Sequence, residues 1–200
     1  MTVLLDLVRH GETLTPGRLI GCTDPPLSDR GRVQFARQVA GRSWDGIVAS
    51  PRVRTRTSAE ALAAERGIPL CIDDDWRELD FGDWDGRPLE ELHADQATAD
   101  AFAAFYRDAD APGAPGGESW RMLEARVARA IDRLLTPPVP QSVLVVTHGG
   151  PMRAAIAITC ALPFANLWTF RIEPGTRITL RIGRDGRAGL WGEIVEVVQP

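Results

Sequence analysis

Two histidines occupy matching positions, each directly after a short apolar run and each followed by glycine. Arg9 and His10 come after residues 3–8, and His148 comes after residues 143–147. Apolar runs of this length are typical of strands buried on both faces. Ligands of open α/β sheets bind outside the carboxyl ends of the strands. We therefore expect the pair to share one pocket, whereas a single such histidine could as readily end a strand at the surface.

Three arginines follow another apolar run, residues 46–49, at the predicted start of a helix. Ser50 and Pro51 are residues typical of an N-cap and a first helical turn. Backbone N–H groups at such a helix start attract anions, and arginine adds a bidentate grip on phosphate. Because helical residues advance about 100° each, Arg52, Arg54 and Arg56 cannot all face one pocket. Spacing alone does not choose among them, and solvated charge is the commoner state of a single arginine here.

Carboxylates crowd residues 73–85. Most of them are expected to be solvated or to cap turns. A reaction that expels an alkoxide nevertheless needs an acid to protonate the departing oxygen, so one of these groups is a candidate for that task. Phe81 and Trp84, in the same stretch, are interpreted as core residues.

The elements that position these residues alternate between strands and helices. The helical patterns cover residues 29–42, 51–66, 119–135 and 150–162. Residues 175–197 predict an edge hairpin with a turn at 183–186. This order predicts an α/β fold, a three-layer α/β/α sandwich around a mostly parallel sheet with an antiparallel edge hairpin.

The composition is that of an ordinary globular protein, and we expect one domain over residues 1–200. A net charge of −4 argues against a general nucleic-acid binder. Cys22, Cys71 and Cys160 show neither metal-ligand nor disulfide spacing, which favours the cytoplasm. The longest apolar run, Ala154–Phe164, is shorter than the roughly 18 residues of a membrane span, and the N-terminus does not resemble a signal peptide.

Five motifs then reveal a resemblance. LVRHGET, SPRVRTRTSA, ELDFGDWDG, GGES and VVTHGG occur in the order found in the histidine phosphatase (phosphoglycerate mutase-like) superfamily. The resemblance implies a metal-independent phosphatase without a cofactor. It selects Arg54, the fifth residue of the Ser-Pro motif, although Arg52 stands where leucine is usual. No asparagine follows RHGET, which leaves that substrate contact unassigned. The implied catalytic residues are His10, Glu78, Arg9, Arg54 and His148, and the implied substrate-binding residues are Arg9, His10, Gly11, Arg54, His148 and Gly149.

The C-terminal half resembles one subgroup, the bacterial α-ribazole phosphatases, through GGES and LPFANLWTFRIEPGTRITLRI. This implies a small phosphate ester as substrate, α-ribazole 5′-phosphate or adenosylcobalamin 5′-phosphate. Two alternatives stay open: a cofactor-dependent phosphoglycerate mutase, whose usual insertions this chain lacks, and a non-enzymatic binding protein on the same fold. No nucleic acid or membrane partner is expected, and the edge hairpin makes a homodimer conceivable.

Overall fold

A six-stranded sheet lies at the centre of the part of the chain, residues 2–186 and 189–200, that the computed structural model describes. The strands are β1 (Thr2–Arg9), β2 (Gly46–Ala49), β3 (Leu70–Ile72), β4 (Ser142–Thr147), β5 (Arg177–Asp185) and β6 (Gly189–Val198). Their order across the sheet is β3-β2-β4-β1-β5-β6. The first four of these pair in parallel, and β5 and β6 add an antiparallel edge pair.

The helices of the described residues lie between and after the strands. They are α1 (Asp29–Val39), α2 (Val53–Arg66), α3 (Leu89–Ala94), α4 (Gln96–Phe105), α5 (Trp120–Leu134) and α6 (Gly149–Cys160). Short 3-10 turns occur at Asp74–Trp76, Gly82–Trp84 and Phe164–Asn166. In the described part of the chain, none of the helices combines the length and the apolar character that crossing a membrane requires.

Helices cover both faces of the sheet because successive strand residues point to opposite sides. Leu7 of β1 belongs to a core that includes Leu123 of α5. Val8, the next residue, belongs to a second core with Phe35 of α1 and Leu62 of α2. The predicted fold, a three-layer α/β/α sandwich with a mostly parallel sheet and an antiparallel edge, is confirmed.

Helix α2 begins at Val53, and the prediction that it begins at Pro51 after an N-cap at Ser50 is wrong. Arg52 occupies the cap position and makes no capping hydrogen bond through its side chain. Asp24, from a loop distant in sequence, accepts the Val53 N–H at 2.6 Å. A tertiary contact thus replaces the local cap, and no local pattern could have indicated it.

Two other helices end earlier than predicted. Helix α1 ends at Val39 and not at Arg42, because the backbone is extended at Ala40. Helix α6 ends at Cys160, because Ala161 adopts the left-handed conformation with φ of 51°. Helix α5, with Ser119 as its N-cap, agrees with the prediction.

The edge hairpin forms, but its turn is displaced along the chain. The residues predicted as the start of the turn, 183–185, continue β5 and pair with β6. Gly186 lies in a turn, and residues 187–188 fall outside the described residues. Strand β3 and helices α3 and α4 were not predicted at all.

Candidate active site

The pairing of β1 with β4 brings the two strand-end histidines together. Arg9 lies opposite Thr147 in the parallel register, so His10 and His148 follow at the same sheet edge. The two ring centroids are 5.2 Å apart, and the His10 backbone N–H donates to the Thr147 carbonyl at 2.9 Å. His10 is 7% exposed and His148 is fully buried. The two histidines therefore occupy one site, as the matching contexts in the sequence suggested.

A backbone carbonyl selects the tautomer of His10. Nδ1 of the ring lies 2.8 Å from the Gly11 carbonyl oxygen, which can only accept, so Nδ1 carries the proton and Nε2 keeps its lone pair. Burial, reinforced by the positive charges of Arg9 and Arg54, holds the pKa of His10 well below its ordinary value. The ring is consequently neutral and nucleophilic at neutral pH.

His148 is positioned by the residue that follows β2. Its Nε2 lies 2.7 Å from the hydroxyl oxygen of Ser50, and its Nδ1 is buried without a hydrogen-bond partner in the described chain. Burial lowers the pKa of His148 strongly, and the charge of Arg54 adds to the effect. Ser50 was expected to cap a helix, so its contact with His148 is a role that the sequence did not indicate.

Of the three candidate arginines, Arg54 alone is completely buried. Arg52 is half-buried at the helix start, and Arg56 is exposed and pairs with Glu60 at 3.3 Å along the helix. Burial therefore separates Arg54, the arginine that the resemblance selects, from the other two. Burial lowers the pKa of Arg54, but a guanidinium stays protonated in proteins.

The loop before helix α1 holds Arg54 in place. One guanidinium nitrogen pairs with Asp24 at 3.1 Å and donates to the Thr23 carbonyl at 2.9 Å, and the other donates to the Gly21 carbonyl at 2.9 Å. The Asp85 carboxylate in turn accepts the N–H groups of Gly21 at 2.6 Å and Thr23 at 2.7 Å. One member of the crowded acidic stretch thus fixes the loop that fixes the arginine.

Arg9 completes a group of polar nitrogens that face no protein acceptor. Its guanidinium donates once, to the Ile172 carbonyl at 2.7 Å, and burial lowers its pKa. Nε of Arg9, Nε of Arg54 and Nδ1 of His148 are all buried without a partner among the described residues. Buried donors are almost always paired in proteins, and the oxygens of a bound phosphoryl group are the acceptors that suit them.

Glu78 lies at the edge of the same site. Its Oε1 accepts the N–H groups of Leu79 at 2.9 Å and Gly150 at 3.1 Å. A Cβ at Gly150 would lie 2.4 Å from that oxygen, so only glycine lets α6 approach the carboxylate this closely. Together with Arg9, Glu78 lines a cavity of about 160 Å³.

A buried ion pair anchors the segment that carries Glu78. Arg126 of α5 pairs with Glu118, the glutamate of the GGES motif, at 2.8 Å. The same guanidinium donates to the carbonyls of Asp75 at 2.8 Å, Arg77 at 2.7 Å and Glu78 at 3.1 Å. The ion pair therefore fixes the backbone from which the Glu78 side chain extends.

Comparison with known proteins agrees with this geometry. The Histidine phosphatase superfamily (branch 1) matches residues 5–192 of the chain. The chain belongs to this superfamily. It is similar to the adenosylcobalamin/α-ribazole phosphatase of Salmonella typhimurium, with 33% identity over 84% of this chain and 85% of that protein. A probable phosphoglycerate mutase of Erwinia tasmaniensis is 33% identical over 78% of this chain and 74% of that protein.

The fold of this histidine phosphatase is also similar to a solved structure of a putative α-ribazole-5′-P phosphatase from Escherichia coli. The TM-score is 0.80 and the identity 28%, over 99% of this chain and 96% of that one. The sequence-based recognition of the superfamily and of a phosphatase is thereby confirmed.

Two residues near the site of this histidine phosphatase were missed in the sequence. Arg153 and Tyr106 both line the cavity beside Glu78. Arg153 lies one helical turn after Gly149, and that i, i+4 spacing could have placed it on the face near the site. Nothing in the local pattern around Tyr106 indicates where its side chain goes.

Proposed function

We propose that this enzyme hydrolyses small phosphomonoesters through a phosphohistidine formed on His10. The proposal rests chiefly on one observation: a buried, neutral imidazole lies beside two arginines and a second histidine, each with one buried nitrogen that has no partner among the described residues. A phosphoryl group bound there would satisfy these donors and receive charge stabilisation during transfer.

The first step transfers the phosphoryl group to the enzyme. Nε2 of His10 donates its lone pair to phosphorus, and the bond from phosphorus to the ester oxygen breaks. The bonding electrons leave with that oxygen, which takes a proton from the carboxylic acid of Glu78 and departs as an alcohol. Arg9, Arg54 and His148 hold the phosphoryl oxygens, and we assign the backbone around Gly11 and Gly149 to the same pocket.

The second step regenerates the enzyme. Water attacks phosphorus, loses a proton to the Glu78 carboxylate, and the P–N bond breaks. The electron pair returns to the His10 ring, inorganic phosphate leaves, and both residues are restored to their starting states. The assigned groups complete this cycle with water as the only co-reactant.

The proposed substrate is α-ribazole 5′-phosphate or adenosylcobalamin 5′-phosphate. Support comes from the names of the Salmonella and Escherichia relatives. The similarity to a probable phosphoglycerate mutase keeps the mutase reaction as the second candidate. Release of phosphate from α-ribazole 5′-phosphate favours the first, whereas conversion of 3-phosphoglycerate to 2-phosphoglycerate without release of phosphate favours the second.

Replacement of the nucleophile tests the proposed mechanism. His10→Ala should lose essentially all turnover of p-nitrophenyl phosphate, because it removes the proposed nucleophile. His93→Ala is the matched control, since His93 is exposed on α3 and should leave turnover unchanged. A folded His10→Ala variant that keeps wild-type turnover would refute the mechanism.

We further propose that residues 1–200 act as one domain, a view supported by the superfamily match over residues 5–192. The cytoplasmic location, the homodimer and the lack of nucleic acid or membrane partners stay predictions from the sequence. Light scattering of the purified protein tests the dimer, and cell fractionation tests the location.

A further inference from the structure

The cavity beside Glu78 is where the alcohol part of a substrate must lie, if the proposed function holds. Glu78 and Arg9 line this cavity, which has a volume of about 160 Å³. A proton donor has to be within hydrogen-bond reach of the departing oxygen. The carbon skeleton attached to that oxygen therefore extends into the space that Glu78 lines.

Aromatic side chains form the walls of this cavity. The ring of Tyr106 lies 4.8 Å from that of Trp168 and 5.2 Å from that of Phe105, and the Trp120 and Trp168 rings are 6.2 Å apart. All three pairs meet edge to face, the arrangement that aromatic rings prefer. Because such rings pack against one another, the walls resist rearrangement.

The hydroxyl group of Tyr106 adds no charge to these walls. Burial raises the pKa of Tyr106 to about 12, so the phenol keeps its proton at neutral pH. Tyr106 consequently presents an apolar ring with one neutral polar group.

Arg153, which lines this cavity together with Arg9, is bound to the wall itself. Its guanidinium carbon lies 4.7 Å from the Trp168 ring centroid, within the range of a cation–π contact. Its Nε donates to the Leu167 carbonyl at 3.2 Å, and one terminal nitrogen donates to the Gly149 carbonyl at 3.4 Å. These contacts hold the Trp168 ring in position and leave Arg153 poorly placed to clamp a carboxylate with two parallel hydrogen bonds.

The volume of the cavity suits a single ring. An apolar cavity of about 150 Å³ inside a protein is large enough to bind benzene. The cavity beside Glu78 has a similar volume, about 160 Å³, but it is open on one side and Arg9, Glu78 and Arg153 add polar surface to it. One ring therefore fits against the aromatic walls, and the rest of a larger leaving group extends outward. A two-carbon alcohol would leave most of this space without contacts, and that loss weakens binding.

We propose that this cavity is a leaving-group subsite that selects uncharged, ring-bearing alcohols. Tyr106 and Trp168 are its specificity-determining residues, and Arg153 is a positioning residue that acts through Trp168. The inference rests on the proposed phosphatase function and adds to it the class of leaving group that this site prefers.

Three phosphomonoesters test the selection in the wild-type enzyme: benzyl phosphate, ethyl phosphate and 3-phosphoglycerate. Benzyl alcohol and ethanol are similarly weak acids, so chemistry alone hardly separates the first two. We expect kcat/KM for benzyl phosphate to exceed that for ethyl phosphate by roughly ten-fold or more, the scale of one aromatic contact. The value for 3-phosphoglycerate should be no higher than that for ethyl phosphate.

Variants of the cavity residues test whether they determine the preference for benzyl phosphate. Trp168→Leu should lower kcat/KM for benzyl phosphate by roughly ten-fold and leave ethyl phosphate unchanged. Trp191→Leu, on β6 and away from the cavity lining, is the matched control and should change neither. Arg153→Met should raise KM for benzyl phosphate more than KM for ethyl phosphate, a split that a general loss of structure would not produce.

Three results would overturn the inference. Equal kcat/KM for benzyl and ethyl phosphate would eliminate the subsite while the phosphatase function stood. A higher kcat/KM for 3-phosphoglycerate than for benzyl phosphate, lost in Arg153→Met, would mean that Arg153 binds the substrate carboxylate. Failure of the wild type to hydrolyse any of the three esters would instead refute the proposed function, and the subsite with it.

Discussion

At the scale of single residues, the chemistry depends on keeping two imidazoles neutral and one carboxylate close. Nδ1 of His10 donates its proton in a hydrogen bond of 2.8 Å to the Gly11 carbonyl. The lone pair that attacks phosphorus therefore lies on Nε2. Glu78 reaches the site because Gly150 has no side chain. The sequence showed the histidines plainly, since each follows a buried strand. The reason for glycine at position 150 became visible only from its distance to Glu78.

Substitution of Gly150 tests the position of Glu78. Gly150→Ala places a methyl carbon where only 2.4 Å separates it from Glu78 Oε1, so the carboxylate must move. We expect kcat for ethyl phosphate to fall on the order of 10²-fold, the lower range for a general acid. The fall for p-nitrophenyl phosphate should be much smaller, because its leaving group needs little protonation.

The control for this variant is Gly186→Ala. Among the described residues, a Cβ at Gly186 meets nothing within 4 Å, so neither substrate should be affected. Equal losses on both esters in Gly150→Ala would mean that the substitution disturbs phosphate binding and not proton donation.

At the scale of elements, local patterns predicted the parts of the fold that bury a regular face. Strands β1, β2 and β4 and helix α5 carry such patterns, and all four were found. Strand β3 has three residues, none of them fully buried, and α3 and α4 each bury a single residue. With so little apolar periodicity, a sequence cannot reveal these elements. The start of α2 was misplaced because its cap, Asp24, comes from elsewhere in the chain.

The ion pair between Arg126 and Glu118 supports the segment that carries Glu78. Arg126→Met should lower the free energy of unfolding by up to about 3–5 kcal/mol, because the buried Glu118 carboxylate loses its nearest cation and keeps only Arg77, at 3.7 Å. Arg121→Met, on the same helix but exposed and paired only at the surface, should cost far less. Urea unfolding of both variants measures the difference, and equal losses would contradict the assigned role of the pair.

At the scale of the whole molecule, stability and activity are linked through burial. The sheet edge gathers His10, His148, Arg9 and Arg54 in one place, and desolvating so much polar surface is costly. The convergence of the two histidines could be predicted from their positions at strand ends, whereas spacing did not choose Arg54 among the three arginines. The aromatic cavity could not be predicted, because its walls come from α4, α5 and loops whose packing depends on the whole fold.

The stability of the protein should therefore fall in mild acid. The folded pKa values of His10 and His148 lie well below the ordinary one, so below about pH 6.5 the unfolded chain binds more protons than the folded chain. The free energy of unfolding then decreases as pH falls, by up to about 2.7 kcal/mol per pH unit for two sites.

Urea unfolding at pH 7.5 and pH 5.5 measures this dependence. His148→Gln should reduce the slope by roughly half, whereas His93→Ala, at an exposed position, serves as the control and should retain the slope. A free energy of unfolding that stays constant over this range would contradict the neutral, buried state of both rings.

The identity of the phosphorylated atom tests the central claim most directly. Rapid quenching of the enzyme with excess ³²P-labelled benzyl phosphate, followed by peptide mapping at alkaline pH, locates the covalent phosphoryl group. We predict label on His10 during turnover and none in His10→Ala. Label on another residue, or steady turnover with no labelled enzyme at any quench time, would contradict the phosphohistidine mechanism.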